Sequence, residues 1–251
     1  MSKIKIFSLG GLNENGKNMY VVKVDEDIFV FDAGLKYDND LNLGIDYIIP
    51  SFDYLIKNKK NVKGIFLTHG HESNMGAVPD ILAKLPDINI YGTKLTLTMV
   101  KNDMTKEEID RTNFKEIRPH SKIDFGKNAI FPISVTHSIP DAVCYVLYTE
   151  DGAIVYTGDF VFDSTVPSIY KTDIGKLAYV GKQGVLCLLA ESIYADKIGH
   201  TSPNNRVSGF IKEVFTNNPN RIIATVFPAH FYRVQEIFNE VSSTHRKIVI
   251  M

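Results

Sequence analysis

Residues 67–74 read LTHGHESN and follow the apolar run Gly64-Ile65-Phe66. An apolar run that ends in a tight histidine-rich turn and passes into SNMGAVPDILAKLP predicts a strand, a turn and a helix. Ser73 or Asn74 can cap that helix, and Pro79 falls early enough in it to be tolerated. His69 and His71 stand at i and i+2 on the turn, where two imidazoles can converge on one ion. Neutral imidazole suits zinc and manganese-like ions. An H-x-H pair alone is an unspecific signal. Its weight comes from three residues in equivalent places: Asp32 in VFDAG, His137 in VTHSIPD and Asp159 in VYTGDF each stand where an apolar strand gives way to a loop. Ligands gathered at strand ends around one cavity are what a metallohydrolase needs.

Outward from this turn, KIKIFSL, MYVVKV and IFVFDAG, separated by GGLNENGKN and DED, predict a meander of short strands. NIYG, TNFKEIRP, KIDFG and NAIFPISVTHSI predict further strands, and TKLTLTMVKNDM a second helix. AVCYVLYTEDGAIVYTGDF predicts a hairpin turning at Glu150-Asp151-Gly152, and GVLCLLAES another buried strand. Beyond His200 the composition changes. TSPNNRVSGFIKEVFTNNPN holds one amphipathic helix. RIIATVF, HFYRVQEIFNEVSST and RKIVIM then predict strand, helix and strand, a βαβ unit with parallel strands. The last of these ends at Met251 with no helix for its far face, so it is either a natural terminal strand or a domain that has been cut.

Of 251 residues, 44% are hydrophobic and 23% charged, which excludes disorder, collagen-like repeats and coiled coil as the main content. Lys+Arg is 28 against Asp+Glu 29, a net charge of −1. There is no bulk pull toward nucleic acid or anionic membrane, so a nucleic-acid site must be a local patch. No apolar run approaches the ~20 residues of a membrane span, and MSKIKIFSLGG lacks the length and cleavage site of a signal peptide. Cys144 and Cys187, each inside an apolar run, read as buried thiols of a reducing compartment. The expectation is a soluble cytoplasmic protein that uses no membrane.

The order VFDAG, THGH with a following helix, a lone strand-end histidine and TGDF resembles the motif series of the metallo-β-lactamase fold. It is similar above all to the ribonuclease J family, whose members carry an inserted beta-CASP domain. GGLNENGKN resembles that family's GGLGEIGKN, HSIPDAV and VYTGDF its third and fourth motifs, and ATVFPAHFYRVQEI with RKIVI the first elements of its beta-CASP domain. The resemblance runs over nearly the whole chain. It implies an α/β fold of the αββα sandwich type over residues 1–205, the beginning of a parallel α/β beta-CASP domain over 206–251, and, since family members are much longer, an N-terminal fragment. It further implies that His69, His71, His137 and Asp159 bind metal, zinc or manganese, and carry catalysis. The implied activity is that of a metal-dependent ribonuclease working 5′ to 3′, with some endonucleolytic cleavage, in rRNA maturation and mRNA turnover.

Two stretches depart from the family. Its second motif is H-x-H-x-D-H, whereas here His71-Glu72 runs on into Ser73-Asn74. In the family the missing Asp and His serve a second metal. Serine and asparagine are weak neutral ligands, so one ion at most and weak activity are expected, and Glu72 stands at an x position that points away. In AESIYADKIGHTSPNNRV, Glu191 and Ser192 roughly keep the start of a family D-S-T-N motif, while Asn204 stands where the family has an acidic residue. Such drift resembles the degenerate paralogue that accompanies an active ribonuclease J in some Gram-positive bacteria. The implied partners are RNA, the active paralogue in a hetero-oligomer, and copies of the chain itself. A largely non-catalytic RNA-binding or scaffolding subunit is the alternative. A small-molecule hydrolase fits less well, because simple hydrolases of this fold lack the βαβ insert.

Arg206, Arg221, Arg233, Arg246 and Lys247 are candidate phosphate contacts, and Phe231 and Tyr232 candidate stacking partners, although each singly is more often surface or core. Gly11 to Asn18 nearly spells the phosphate loop G-x-x-x-x-G-K-[ST]. Asn18 lacks the hydroxyl, and MYVVKV is a strand where that motif needs a helix N-terminus. Asn13, where the family has glycine, tolerates left-handed backbone.

Overall fold

A computed structural model describes residues 1–38, 44–199, 205–227 and 229–251, with backbone alone at 205 and 206. Asn204 and the side chain of Arg206 therefore lie outside the described residues. Strands β1 (Ile4–Gly10), β2 (Met19–Val24) and β3 (Asp27–Phe31) pair antiparallel as a meander. Asn13 in its first turn takes φ 58°, the left-handed geometry that asparagine tolerates. A short pair, β4 (Lys36–Tyr37) and β5 (Tyr47–Ile48), and helix α1 (Asp53–Lys57) lead to β6 (Val62–Phe66), which joins β3 in parallel. Then come α2 (Glu72–Met75), α3 (Val78–Lys84), β7 (Asn89–Gly92), α4 (Lys94–Asn102), α5 (Lys106–Arg111) and β8 (Asn113–Glu116). The first sheet is six-stranded, in the order β1-β2-β3-β6-β7-β8. The second is five-stranded: β9 (Ile123–Phe125), β10 (Asn128–Ser134), β11 (Val143–Thr149) and β12 (Gly152–Tyr156) pair antiparallel. After α6 (Ile174–Gln183), β13 (Val185–Leu189) pairs in parallel with β12. Helices α7 (Asn205–Asn217) and α8 (Phe231–Ser242) complete the chain.

The alternation of side chains along each strand sets the layers. Phe29, Phe31 and Phe66 on the first sheet meet Val143, Tyr145, Leu147 and Tyr156 on the second, forming the apolar seam between sheets. The intervening Ile28, Val30, Ile65 and Leu67 face the other way, onto Leu55, Val78, Ile81, Leu97 and Val100 of the helices. On the second sheet Cys144, Val146 and Val155 turn away from the seam toward Val180 of α6. The result is an αββα sandwich, in which each fully buried large side chain contributes about 1.5–3 kcal/mol.

Several sequence expectations are corrected. The stretch after the histidine turn is two helices, not one, and His71 rather than Ser73 or Asn74 occupies the N-cap of α2; Pro79 sits at the start of α3. Thr105 and Glu108 form a capping box that starts α5, a helix the sequence reading passed over although T-x-x-E is a helix-start signal. β13 is an edge strand, with Leu186 and Leu188 exposed by 53% and 60%, so it is not buried, and Cys187 is only half-buried. RIIATVF and RKIVIM form no ladder. A strand exists only with a partner to take its hydrogen bonds, and among the described residues these two runs have none. Their apolar side chains, such as Ile223 and Val249, lie exposed.

Candidate metal centre

The backbone brings the predicted residues to one place by tying both sheets to the turn after β6. Leu67 N–H donates to Tyr91 (2.8 Å), the Tyr145 hydroxyl donates to the Leu67 carbonyl (2.7 Å), and Val143 N–H donates to the Thr68 carbonyl (2.9 Å). Two glycines allow the close approach. A Cβ on Gly70 would stand 2.5 Å from the Met99 sulfur, and one on Gly158, at φ 58°, would stand 2.8 Å from Thr68 Cβ. Gly158 is the residue that delivers Asp159 from the end of β12. His137 follows Thr136, which bridges to Val161.

His69, His71, His137 and Asp159 converge, with one potential ligand atom of each lying within 4.8 Å of all the others. His71 Nδ1 is 3.1 Å from His69 Nε2 and 3.1 Å from His137 Nε2, and Asp159 Oδ2 is 3.7 Å from His69 Nε2. Burial, reinforced by the neighbouring imidazoles, pushes the His69 pKa well below its usual value and His137 down to about 3; burial also lowers His71. All three are therefore neutral at pH 7, the form that binds metal. Burial, with the Glu191 and Asp32 carboxylates nearby, pushes Asp159 up to about 7. A cation beside it would favour the ionised form.

The donor set fits a divalent ion. The second nitrogens of two imidazoles are engaged elsewhere: His69 Nδ1 with Thr68 Oγ1 (2.9 Å), and His71 Nε2 with the Ala229 carbonyl (3.4 Å). Their remaining nitrogens then present two lone pairs to each other, a repulsive pairing unless a cation lies between them. Tetrahedral ligands at 2.0–2.1 Å from zinc stand roughly 3.3 Å apart, close to the spacing seen here.

Residues 12–186 match the metallo-beta-lactamase superfamily. The chain belongs to that superfamily. It is also similar to proteins named Ribonuclease J 2: that of Staphylococcus aureus (strain MRSA252) is 39% identical over 246 residues, and that of Staphylococcus saprophyticus 38% identical over 247. Each alignment takes in 98% of this chain and 44% of the relative, so the chain spans less than half the length of these curated relatives. A crystal structure of a protein of unknown function from Enterococcus faecalis V583 superposes with a TM-score of 0.72 at 18% identity, over 94% of this chain and 63% of that one, a likeness of fold.

Within this metallo-beta-lactamase chain, Ser73 and Asn74 lie beside the cluster but are turned to other partners. Asn74, fully buried, donates through Nδ2 to Asp32 Oδ2 (2.9 Å), and its Oδ1 accepts from Ser73 Oγ (2.6 Å) and Asn18 Nδ2 (3.4 Å). Glu72 points away and accepts from the Tyr37 hydroxyl at 2.7 Å. Asp32 is an anchor: Thr68 N–H and hydroxyl, Asn74 and the Tyr156 hydroxyl all donate to it. Burial pushes its pKa up to about 6 against those four donors. Gly34, two residues on, has no room for a side chain, since a Cβ would lie 1.6 Å from the Ser73 carbonyl oxygen. Sequence reasoning missed Thr68, Tyr156 and Ala229. Thr68 had a signal, a hydroxyl beside the first histidine; Tyr156 and Ala229 had none, because their roles rest on long-range contacts.

The candidate RNA contacts are largely engaged within the protein. Arg233 pairs with Glu236 and lies over the Tyr232 ring, and Arg246 donates to the carbonyls of Asn218 and Asn220. Tyr232 is buried against Tyr170 rather than open to a base. Arg221 and Lys247 remain exposed. Among the described residues, no helix is long and apolar enough to cross a membrane.

Proposed function

We propose that this chain is part of a ribonuclease J-type RNA-processing and decay protein. Residues 1–205 form its metallo-β-lactamase domain and 206–251 the beginning of a beta-CASP domain. It binds one ion, zinc or manganese, through His69, His71, His137 and Asp159, and its own 5′-to-3′ exonuclease and endonuclease activities are weak. It works in the cytoplasm on RNA such as rRNA precursors and mRNA, in assembly with an active paralogue and with copies of itself. One observation carries the reading: on a single turn His69 and His71 aim ring nitrogens at His137 and Asp159, while Asn74 donates to Asp32 and accepts from Ser73 and Asn18. The likeness to proteins named Ribonuclease J 2 supports RNA as the substrate class.

When bound, the ion supplies a lowered pKa for water and polarisation of a phosphoryl oxygen. The chain's own residues do the positioning. Asp32 holds the Thr68 hydroxyl, and Thr68 holds the His69 proton at Nδ1. Asp159 supplies the anionic side of the cluster. A single ion cannot clamp both the attacking and the leaving oxygen, which is the physical ground for weak activity. A largely non-catalytic RNA-binding or scaffolding role is the second reading, favoured by the fully buried Asn74 network at the second-metal position.

Ser73→Asp and Asn74→His, made singly and together in the full-length protein, test the proposal on 5′-monophosphorylated RNA without the paralogue. The double variant should gain nuclease activity and a second ion, and the singles little of either, because a two-ion site needs both ligands. No gain in the double, or high activity in the unaltered protein, refutes the degenerate-site account.

A further inference from the structure

The two imidazoles with engaged second nitrogens are held by different parts of the chain. His69 is held from within the sandwich, by Thr68 and, behind it, Asp32. His71 Nε2 instead faces the backbone carbonyl of Ala229, 158 positions further on, at 3.4 Å. A carbonyl oxygen only accepts, so this contact needs the proton on Nε2 and leaves the Nδ1 lone pair facing His69 and His137. Ser138 Oγ, 3.5 Å from the same Nε2, can donate or accept and so does not choose the tautomer.

The carbonyl is held in place by the start of α8. Tyr232 N–H donates to the Ser138 carbonyl at 3.1 Å, one residue from His137. The Tyr232 ring meets Tyr170 edge-on, with centroids 5.1 Å apart, in a small apolar cluster with Val166. His230 Nδ1 accepts from Arg233 N–H and caps the helix.

We propose that the Ala229 carbonyl is a positioning group for the metal centre: docking of residues 229–232 on the sandwich sets the tautomer of His71, so ion binding and docking of α8 strengthen each other. This rests on the metal-centre reading above. Linkage requires the two effects to be equal: the factor by which docking raises ion affinity is the factor by which the ion favours docking. Removing an outer-shell partner of a ligating histidine costs roughly 10–100-fold in metal affinity.

The test uses the 251-residue chain, stripped with chelator and titrated with cobalt(II), whose visible spectrum reports binding at nitrogen and oxygen ligands. Tyr232→Ala and Tyr170→Ala remove the docking contact from its two sides, and both should bind cobalt about tenfold more weakly. Tyr232→Phe keeps the ring and should bind as the unaltered chain does. Spectra of ¹⁵N-labelled histidine should show the His71 proton on Nε2 in the unaltered chain and lose that preference in both alanine variants. Unchanged affinity and tautomer in the alanine variants overturn the proposal. Should those variants not fold, the unaltered chain decides: hydrogen exchange at the Tyr232 amide must slow about tenfold when zinc is added, and no slowing overturns the proposal. If the unaltered chain binds no cobalt, the metal-centre reading falls and this inference with it. Cobalt binding that is indifferent to residues 229–232 overturns this inference alone.

Discussion

The turn from His69 to Asn74 has two halves with opposite characters. In the first, His69 and His71 keep one ring nitrogen each turned toward other electron-pair donors, an arrangement that a cation completes. In the second, Ser73 and Asn74 turn their polar atoms toward Asp32, Asn18 and each other, an arrangement complete without a ligand. The contrast shows that polar side chains beside a candidate metal site can be satisfied wholly within the protein. A buried position needs its polar atoms satisfied, and an asparagine bonded to a buried carboxylate meets that need as well as a ligand would. Both halves share Asp32, which steadies Thr68 behind His69 and accepts directly from Asn74.

The strongest challenge to this contrast is His71→Ala. The variant should lose zinc affinity by more than the ~100-fold upper range of outer-shell losses, read by equilibrium dialysis. Retained affinity would mean that the first half is not the ligand half. Asp32→Asn probes the anchor common to both halves. With the ion removed, Asp32 titrates near 6 in the folded chain against an ordinary 3.8. Between those values the folded chain holds a proton that the unfolded chain has released. Stability from this group is therefore present at the acid end and lost as pH rises through 6, by up to about 3 kcal/mol. Urea unfolding from pH 4 to 7 should show this decline in the unaltered chain relative to Asp32→Asn, and parallel curves would rule it out. The smallest effect belongs to Glu72→Ala, between the halves. Its side chain's only described hydrogen bond is to Tyr37 at the surface, so stability should change by no more than about 0.5 kcal/mol and zinc binding not at all. A clear fall in zinc affinity would place Glu72 among the ligands.

Much of this was legible in the residues. Strand-end positions of His69, His71, His137 and Asp159 could be read because a strand that runs into a polar residue delivers it to one end of its sheet, and the ends of two packed sheets lie together. The opening meander and the 143–156 hairpin were equally plain from alternation and turn residues. The failures have local causes. RIIATVF and RKIVIM have strand composition, yet composition cannot supply a partner edge. GVLCLLAES has the apolar density of a central strand, but it closes a sheet edge, and burial there depends on what packs against it. Ser73 looked like a helix cap because serine favours that position. His71 took the cap instead, since the extended backbone that aims its imidazole at the cluster also starts α2.

Short-range order and the strand-end placement of the candidate ligands follow from periodicity and from the chemistry of individual side chains, both local properties of the chain, whereas the αββα layering was implied only by the resemblance to the metallo-β-lactamase fold. Which tautomer His71 presents, where Asn74 sends its amide and why Asp32 is needed depend on partners 36 to 158 positions away. Such contacts have no periodic signature. They come into being when two sheets and a distant helix exclude water from the same few ångströms, and every buried polar atom there must then find its partner in the protein.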